Sequence, residues 1–470
     1  MADPEVGVTP YWELTFDAEG DVDARQRDRL LREAVDRGVK DLIVFAHGWN
    51  NDRPTATRLY SRFFEPVPAL APNARLGYVG VLWPSMRFAD EPIPDFARNV
   101  AAVSVGPALD KGTRAALLTV FPGRATLIDQ IARMLDRQPE GDAALEEYGR
   151  LVRLLVELRP EAPGAAFAPD TLADSGTPPG TPPGTISASP PGTPPTSPPG
   201  SPNDPLMFLG DTAQTCREFA RALADDEGGA EAGSERAQAA PRLPRAWDGA
   251  HELLRQATYF AMKRRAGTVG ERGLGRLVGR LAQTAPGVRV HLVGHSFGGR
   301  LVSFALRGLP KGVRTVKSVT LLQAAFSHYA FSGRLPHDVR DSGVLHGQQD
   351  RIDGPLVCCF SRFDSALGTI YPLASRTAGD DRAAADLSLP PLPRLLGPRW
   401  GALGHDGVQA VSGTKAFTLA DALREKLPAS GCVNIDASAV VRRGGAPSGA
   451  HSDICHRELA QVVLAAGRIR

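Results

Sequence analysis

The sequence predicts an α/β fold, with a mostly parallel sheet flanked by helices, on the strength of three observations. Short apolar runs typical of buried strands alternate with segments of helical periodicity at both ends of the chain. The stretch between these ends contains helical patterns but no convincing strand. In the later part, a glycine-rich turn at 294–298 joins a predicted strand directly to a predicted helix. We therefore expect one sheet built from both ends of the 470-residue chain, with a long insertion between them.

Residues 1–85 form the first predicted part of the core. Its elements are a strand at Tyr11–Phe16, a helix at Arg25–Arg37, a strand at Asp41–Ala46, a helix at Thr55–Phe64 and a strand at Tyr78–Trp83. Pro84 ends the third strand. Because strands that are joined through helices usually pair in parallel, these elements predict βαβ units.

Residues 86–264 form the predicted insertion. Two apolar stripes at helical spacing predict helices near 127–135 and 145–158. Between about 160 and 205 lies the segment GTPPGTPPGTISASPPGTPPTSPPGSPNDP, which consists almost entirely of Pro, Gly, Thr and Ser, so this region has little to bury and is expected to be disordered. We interpret this segment as a spacer, and a proline-rich docking motif is the alternative. Insertions of this kind often cover functional sites, which makes the insertion a candidate lid.

The α/β pattern resumes in residues 265–470. The predicted elements are a helix with apolar residues from Leu274 to Leu281, a strand at Val288–Val293, a helix that ends near Gly308, strands at Ser318–Leu322, Leu356–Phe360 and Cys432–Ile435, and a helix at about Ile454–Ala466. These strands complete the sheet that the first 85 residues begin.

The turn Gly294-His295-Ser296-Phe297-Gly298 carries the strongest functional signal. It follows an apolar strand and precedes an amphipathic helix, which is the setting of a nucleophile elbow. Glycines on both sides of the serine leave room for a strained backbone and for close packing of helix on strand. We predict that Ser296 is a nucleophile. The alternative is an ordinary glycine-rich turn between a strand and a helix.

A serine nucleophile needs a base, and the base needs an acid that orients it. Asp364 is the predicted acid because it comes four residues after Phe360, at the carboxyl end of a strand that follows the turn. The alternative role for Asp364 is to cap a short helix that follows it. The other carboxylates considered are Asp350, Asp353, Asp380 and Asp381.

His451 is the predicted base. It lies in the sequence GGAPSGAHSDI, a flexible loop that follows the last predicted strand and can reach back over the turn at 294–298. His405 also follows Asp364, but we predict that it lies in a surface loop between the last two strands. His456 is predicted to fall inside the final helix. An alternative for His451 is a structural position at the start of that helix.

Stabilisation of a developing oxyanion requires N–H donors. The first predicted donor is the backbone N–H of Phe297, the residue after the serine. The second is the backbone N–H of Trp49, in the loop that follows the strand at 41–46, with Gly48 or Asn50 as alternatives.

We also predict roles for other polar and aromatic residues near these positions. His47 is expected to brace its loop by a hydrogen bond, and His295 to pack or to form a local hydrogen bond. Phe326, Tyr329 and Phe331 follow the strand at 318–322, and they either line an acyl pocket or pack beneath the insertion.

Composition limits the classes of protein that the chain can belong to. The net charge is +2, with no dense basic run beside aromatic residues, which argues against nucleic acid as a partner. Five cysteines without CxxC spacing predict buried thiols rather than a disulfide framework or a metal site. The first 20 residues show no secretory signal, and no apolar stretch is long enough to span a membrane, so we expect a cytoplasmic protein. Binding to a membrane surface is possible but nothing in the sequence argues for it, and the oligomeric state is not predicted.

The motifs FAHGWNND, LWPS, HLVGHSFGGRLV, CCFSRFDSAL and GAHSDI together resemble the α/β-hydrolase superfamily, and within it bacterial alpha/beta hydrolases of unknown function. They are spread over roughly the first 85 and the last 200 residues. The resemblance implies an α/β-hydrolase fold with Ser296 as nucleophile, Asp364 as acid and His451 as base. The long insertion departs from the family pattern.

We therefore expect a serine hydrolase that cleaves a small-molecule carboxylic ester through an acyl-enzyme on Ser296, without a metal or an organic cofactor. Thioesters, amides or peptides, and phospholipids are alternative substrates for the same groups. A non-catalytic scaffold that uses the Pro-rich segment for interactions is the alternative from another functional class.

Overall fold

The computed structural model describes residues 6–49, 51–86, 88, 109–156, 169–172, 211–230, 245–364, 366–367, 401–444 and 449–470. The predicted disorder at about 160–205 lies outside these residues except for 169–172, which are ordered parts of the fold.

Within this part of the chain, eight strands form one sheet in which every neighbouring pair is parallel. Their order across the sheet is β1 (Tyr11–Thr15), β3 (Leu76–Leu82), β2 (Asp41–Ala46), β5 (Arg289–His295), β6 (Val316–Leu322), β8 (Pro355–Phe360), β10 (Gly431–Asp436) and β9 (Lys415–Thr418). The α/β class predicted from the sequence is therefore correct. The strands of the two chain ends meet where β2 pairs with β5.

Helices cover both faces of the sheet. One face carries α1 (Ala24–Asp36), α4 (Lys111–Val120), α5 (Ala125–Arg137), α6 (Asp142–Leu155), α7 (Thr212–Ala230), α8 (Ala246–Thr268), α9 (Gly275–Thr284) and α10 (Phe297–Gly308). The other face carries α2 (Arg53–Phe64), α3 (Val67–Leu70), α12 (Leu419–Arg424) and α13 (Arg457–Gly467), and the one-turn helix α11 (Leu403–Asp406) packs beside β8.

Strands β2 and β8 are apolar along most of their length because each contributes to two cores. In β2, Leu42 and Val44 pack in the core beneath α10, whereas Ile43 and Phe45 pack in the core beneath α2 and α13. This explains why the strand reads as a continuous apolar run. The edge strand β9 was missed from the sequence because its residues Lys415 to Thr418 are largely exposed and offer no such run.

The helices of the insertion merge with the core on one face of the sheet. Tyr148 of α6 donates a hydrogen bond to the carbonyl of Ala250 in α8 (2.8 Å), and both residues are fully buried. The predicted boundary after residue 264 falls inside α8, which continues through a π-helical stretch at Val269–Leu274 into α9. None of the described helices is both long enough and apolar enough to cross a membrane.

Close backbone contacts fix this continuous helix against α10. A Cβ atom on Gly270 would collide with the carbonyl oxygen of Leu301, and one on Gly275 would collide with that of Ala305. In return, Gly308 lies against the carbonyl of Glu271 in the π-helical stretch. Because α10 begins directly after Ser296, this packing also holds the turn in place.

Asp170 attaches the insertion to α10 at a second place. Its fully buried carboxylate pairs with the guanidinium of Arg300 and with Nζ of Lys263 (2.9 Å), and accepts the Ser327 N–H (3.0 Å). Burial alone would disfavour the charge, but Arg300 and Lys263 outweigh it and hold the pKa of Asp170 well below its usual value. The adjoining strand β4 (Thr171–Leu172) pairs with β7 (Ser342–Gly343), a short ladder that apolar periodicity did not predict.

Candidate active site

The turn between β5 and α10 holds Ser296 in an unusual backbone conformation. Its φ is +55° and its ψ is −123°, a combination that non-glycine residues rarely adopt. The surrounding backbone fixes this geometry: the Ser296 N–H donates to Leu322 O (3.1 Å), and the Ser296 carbonyl accepts from the N–H groups of Gly299 (3.0 Å) and Ala325 (3.2 Å). Backbone strain of this kind at the carboxyl end of a parallel strand points to function.

Glycines allow the backbone to close around this serine. A Cβ on Gly298 would fall on the carbonyl oxygen of Ala46, at the end of β2, and a Cβ on Gly294 would fall on Gly298. Gly48, in the loop after β2, lies so close that a Cβ there would be 2.7 Å from Cβ of Ser296. The glycines of the turn and of this loop are therefore required for close approach.

We predict that Gly298→Ala destabilises the protein by about 1 to 3 kcal/mol, because the methyl group cannot avoid the backbone of Ala46. Chemical denaturation would measure the loss. Gly287→Ala is the matched control, because a Cβ at Gly287 meets no atom within 4 Å, and it should change stability by less than about 0.5 kcal/mol. Equal stability of the two variants would contradict the packing argument.

The structure brings Ser296, Asp364 and His451 together. His451 Nε2 lies 2.9 Å from Ser296 Oγ, and His451 Nδ1 lies 2.7 Å from Asp364 Oδ2. Asp364 is fully buried, whereas Ser296 keeps 5% of its surface exposed and the His451 side chain keeps 15%. Because a carboxylate only accepts, Nδ1 carries the proton in the neutral ring and Nε2 is free to accept from the serine hydroxyl.

Asp364 is held at the carboxyl end of β8. Its second oxygen, Oδ1, accepts the backbone N–H of Leu367 (3.0 Å), and its own N–H donates to Ser361 O (3.2 Å). Asp364 therefore also has the capping contact that the sequence offered as an alternative. Oδ1 makes this contact, and Oδ2 makes the contact to His451. Both bonds restrict the orientation of the carboxylate toward the imidazole.

The loop that carries His451 is anchored on both sides. The Ala450 N–H donates to Phe363 O (2.9 Å), and the carboxylate of Asp453 accepts the N–H groups of Arg442 and Arg443. His295 donates from Nε2 to the His451 carbonyl (2.9 Å). The local hydrogen bond predicted for His295 is thus a contact that supports the loop of His451.

His47 and His295 are buried, neutral histidines beside this site. Burial lowers the pKa of His47 to about 4 and that of His295 to about 3. His47 donates from Nδ1 to Gly48 O (2.8 Å), stacks on Trp83, and accepts the indole N–H of Trp83 at its carbonyl (2.9 Å). It therefore braces the loop that contacts Ser296, as the sequence predicted.

Because the pKa values of these two histidines are lowered, we expect the stability of the fold to decrease in acid. A base whose folded pKa lies below its unfolded value of about 6.5 stabilises the fold above that value, and the stabilisation is lost as pH falls from 6.5 toward the folded pKa. We expect each of His47 and His295 to remove on the order of 2 kcal/mol from the free energy of unfolding between pH 7 and pH 5. Urea titrations across this range measure the effect. His47→Gln should show a shallower pH dependence than the unchanged protein, and an identical slope would contradict the assignment.

The two predicted N–H donors belong to residues that adjoin Ser296 or the loop that contacts it. Phe297 is the first residue of α10, where a backbone N–H has no partner within the helix. Trp49 follows Gly48, and its ring lies 6.4 Å from that of Phe297. Tyr259 of α8 completes an aromatic group with both rings, at 4.6 Å from Phe297 and 5.4 Å from Trp49. Asn50, an alternative donor, lies outside the described residues.

The two competing carboxylates that the structure describes, Asp350 and Asp353, do not approach Ser296. Asp353 pairs with Lys317 and donates its N–H to Val316 O, the first residue of β6, so it lies at the opposite end of the sheet. Asp350 lies beside it in a short 3-10 helix. Asp380 and Asp381 lie outside the described residues.

The competing histidines form other pairs. His405 lies on α11, half-buried and hydrogen-bonded through Nδ1 to Asp406 (2.8 Å), rather than in a surface loop as predicted. The prediction failed because α11 is a single turn that carries no periodic signal. His456 lies immediately before α13, not inside it, and contacts Asp453 (2.8 Å).

The aromatic residues after β6 pack in the core. Phe326 and Phe331 are fully buried with ring centroids 6.3 Å apart, and Tyr329 packs its ring 4.1 Å from that of His328. Packing is therefore the role that the structure shows for them.

A second Ser–His–Asp chain lies at the amino end of the sheet, and sequence reasoning missed it. His291 Nδ1 is 2.9 Å from Ser318 Oγ, and His291 Nε2 is 2.9 Å from Asp41 Oδ1. These residues lie within β2, β5 and β6, and the His291 side chain is fully buried, whereas that of His451 keeps 15% exposed. Hydrogen-bond distances alone therefore do not single out a reactive serine, whereas backbone strain and the exposure of the histidine distinguish the chain at Ser296 from the chain at Ser318.

Among the described residues, no group of three or more His, Cys, Asp or Glu side chains is placed to hold a metal ion. Comparison of the chain with protein-family models, with curated proteins and with solved structures finds no match.

Proposed function

We propose that this protein is a serine hydrolase with an α/β-hydrolase fold and that it cleaves carboxylic esters. The observation that carries the proposal is the union of three features: a strained turn at Ser296, a hydrogen-bonded chain from Ser296 through His451 to Asp364, and a His451 side chain that keeps 15% of its surface exposed. The chain at Ser318 has the hydrogen bonds without the strain, and its histidine is fully buried, so it serves as an internal comparison.

The proposed reaction has two steps. Ser296 Oγ attacks the acyl carbonyl carbon while its proton passes to His451 Nε2, and the carbonyl oxygen becomes an oxyanion that accepts N–H bonds from Phe297 and Trp49. Collapse breaks the carbon–oxygen bond to the alcohol, which leaves with the proton from His451. Water then attacks the acyl-enzyme, again giving its proton to His451, and the carboxylic acid departs as Ser296 regains a proton.

Asp364 stabilises the imidazolium that forms in each step. Its Oδ2 is 2.7 Å from Nδ1 of His451, and it is fully buried, so the attraction between the two charges is little screened by water. The hydrogen bond from Leu367 keeps the carboxylate aimed at the ring. The group thus favours one tautomer of His451 before reaction and the charged form during it.

An apolar acyl group suits the surface beside the serine. Trp49 and Tyr259 are partly exposed and belong to the aromatic group that includes Phe297, next to Ser296. This surface supports an ester with an apolar acyl part over a highly charged substrate. Thioesters and amides react through the same groups and belong in the same substrate screen.

A fluorophosphonate probe tests the proposal. We expect the folded protein to acquire one adduct, mapped by tandem mass spectrometry to Ser296 and not to the buried Ser318. Hydrolysis of p-nitrophenyl esters of increasing acyl length then measures substrate preference. Absence of labelling in protein that melts cooperatively would overturn the proposal and favour the non-catalytic scaffold.

A further inference from the structure

Gln323 lies in the backbone segment that contacts Ser296, between Leu322 and Ala325, and has no role in the reaction described above. It follows β6 directly, and β6 lies between β5 and β8 in the sheet. Because the His451 imidazole bridges Ser296, just after β5, and Asp364, just after β8, the residue after β6 lies between the two groups that it joins. The neighbours of Gln323 contact the serine backbone: Leu322 O accepts the Ser296 N–H at 3.1 Å.

Two independent features of Gln323, its backbone conformation and its buried carboxamide, are energetically unfavourable. Its φ is +42°, in the left-handed region that an L residue with a long side chain rarely adopts. It is also completely buried, and neither Nε2 nor Oε1 of its carboxamide has a hydrogen-bond partner among the residues that the structure describes. Buried polar atoms are nearly always satisfied in folded proteins, and each exception calls for an explanation.

The surrounding packing prevents the backbone from relaxing. The Gln323 N–H donates to Cys359 O on β8 (3.2 Å), and Gly404 lies so close that a Cβ there would collide with the Gln323 Cα. The Gly404 N–H in turn donates to Ala324 O (3.0 Å). The fold therefore enforces the backbone conformation of Gln323, and strain that is enforced in this way is typical of functional sites.

We propose that Gln323 is a specificity-determining residue whose carboxamide binds a hydroxyl or amide group of the ester substrate. A carboxamide offers a donor at Nε2 and an acceptor at Oε1, so its complement is a group that both accepts and donates. A carboxylate on the substrate would leave Oε1 unpaired, and an alkyl group would leave both atoms unpaired. This inference rests on the proposed function, because it places the polar group on the substrate of Ser296.

Gln323→Met tests the inference with a minimal change. Methionine is unbranched and about as long as glutamine, and both residues tolerate a φ of +42° equally poorly. The variant therefore removes only the polar atoms. The substrates are two pairs that differ by hydroxyl against methyl: p-nitrophenyl 3-hydroxybutyrate against p-nitrophenyl 3-methylbutyrate, and 2-hydroxyethyl butyrate against propyl butyrate. The pairs place the hydroxyl on the acyl part and on the alcohol part, respectively.

We expect the unchanged protein to favour the hydroxyl member of one pair by about 10- to 100-fold in kcat/KM, since a site built to bind a hydroxyl discriminates strongly against its absence. Gln323→Met should lose this preference, hydrolyse the apolar member within about twofold of the original rate, and melt at the same or a higher temperature. Gln256→Met should keep the preference, because Gln256 is a buried glutamine of α8 whose Nε2 donates to Glu252 and whose Oε1 also lacks a hydrogen-bond partner among the described residues.

Two results would overturn the inference. One is the absence of a hydroxyl preference in both pairs for the unchanged protein. The other is an equal loss on both members of each pair together with a lower melting temperature in Gln323→Met, which would assign Gln323 a purely structural role such as holding a buried water.

Labelling separates this inference from the proposed function. A small fluorophosphonate should modify Ser296 equally in the unchanged protein and in Gln323→Met. If neither is labelled, the proposed function fails, and the amide is then tested by ligand binding alone. In that case, 3-hydroxybutyrate should raise the melting temperature of the unchanged protein more than 3-methylbutyrate does, and the difference should vanish in Gln323→Met; no difference would refute a polar binding site.

Discussion

Ser296→Ala is expected to lower kcat for ester hydrolysis by about 10⁴- to 10⁶-fold, because the variant has lost the oxygen that attacks the acyl carbon. Its fold should not change: alanine keeps the Cβ that packs against Gly48, and the hydroxyl contributes one contact, to His451 Nε2. Steady-state kinetics on the best p-nitrophenyl ester, with circular dichroism and melting temperature as checks on folding, measure the effect.

The double variant with His451→Ala shows whether the two residues act as one unit. His451→Ala alone should reduce kcat by a similar factor, and the double variant should be no slower than either single variant, because the base has no function without its nucleophile. Ser318→Ala is the matched control, since it removes a serine with the same type of hydrogen bond to a histidine at the other end of the sheet. Multiplicative losses, or loss of activity in Ser318→Ala, would contradict the proposed roles.

Asp170→Asn is expected to destabilise the protein by about 3 to 5 kcal/mol, the range typical for breaking a buried ion pair from one side. The carboxylate pairs with Arg300 and Lys263, and all three side chains are at most 1% exposed. Asparagine is similar in shape but carries no charge to balance the two cations. Chemical denaturation monitored by tryptophan fluorescence measures the loss.

Glu147→Gln provides the comparison at the surface of the same insertion. Glu147 pairs with Arg150 on α6, and both side chains are about half exposed, so removing this charge should cost less than about 1 kcal/mol. If both variants lost similar stability, burial would not be the reason for the strength of the Asp170 pairing. If Asp170→Asn were as stable as the unchanged protein, the attachment of the insertion to α10 would have to come from other contacts.

Sequence patterns predicted most of the sheet and the convergence of Ser296, Asp364 and His451. The buried strands were visible because most carry an apolar or alternating pattern, as Leu42 to Ala46 does, and order along the chain, together with position after a predicted strand, was enough to choose the proposed acid and base. Parallel strands then bring their carboxyl ends to one edge of the sheet, where the turn after β5 and the loop after β8 meet.

Features that depend on distant partners could not be predicted. The contact between His291 and Asp41 joins residues 250 positions apart, and that between Arg300 and Asp170 joins residues 130 positions apart. Periodicity predicts which face of a helix or strand is buried, but it does not predict which polar group of another element that face contacts. The unpartnered amide of Gln323 could not be predicted for the same reason. Whether a buried polar group has a hydrogen-bond partner depends on all the residues that surround it in the fold.

The pairing of β2 with β5 affects how the protein folds and how the length of its insertion can vary in evolution. Asp41 is in register with Arg289, so the middle of the sheet closes a loop that contains the entire insertion. Contacts of such long range slow folding, and synthesis must pass β5 before the first strands can complete their hydrogen bonds. The entropy of closing the loop grows only logarithmically, however, and doubling its length would cost about 0.6 kcal/mol. Evolution can therefore lengthen the connections between the helices of the insertion at little thermodynamic expense, provided that these helices keep their buried contacts and that Asp170 keeps its two cationic partners.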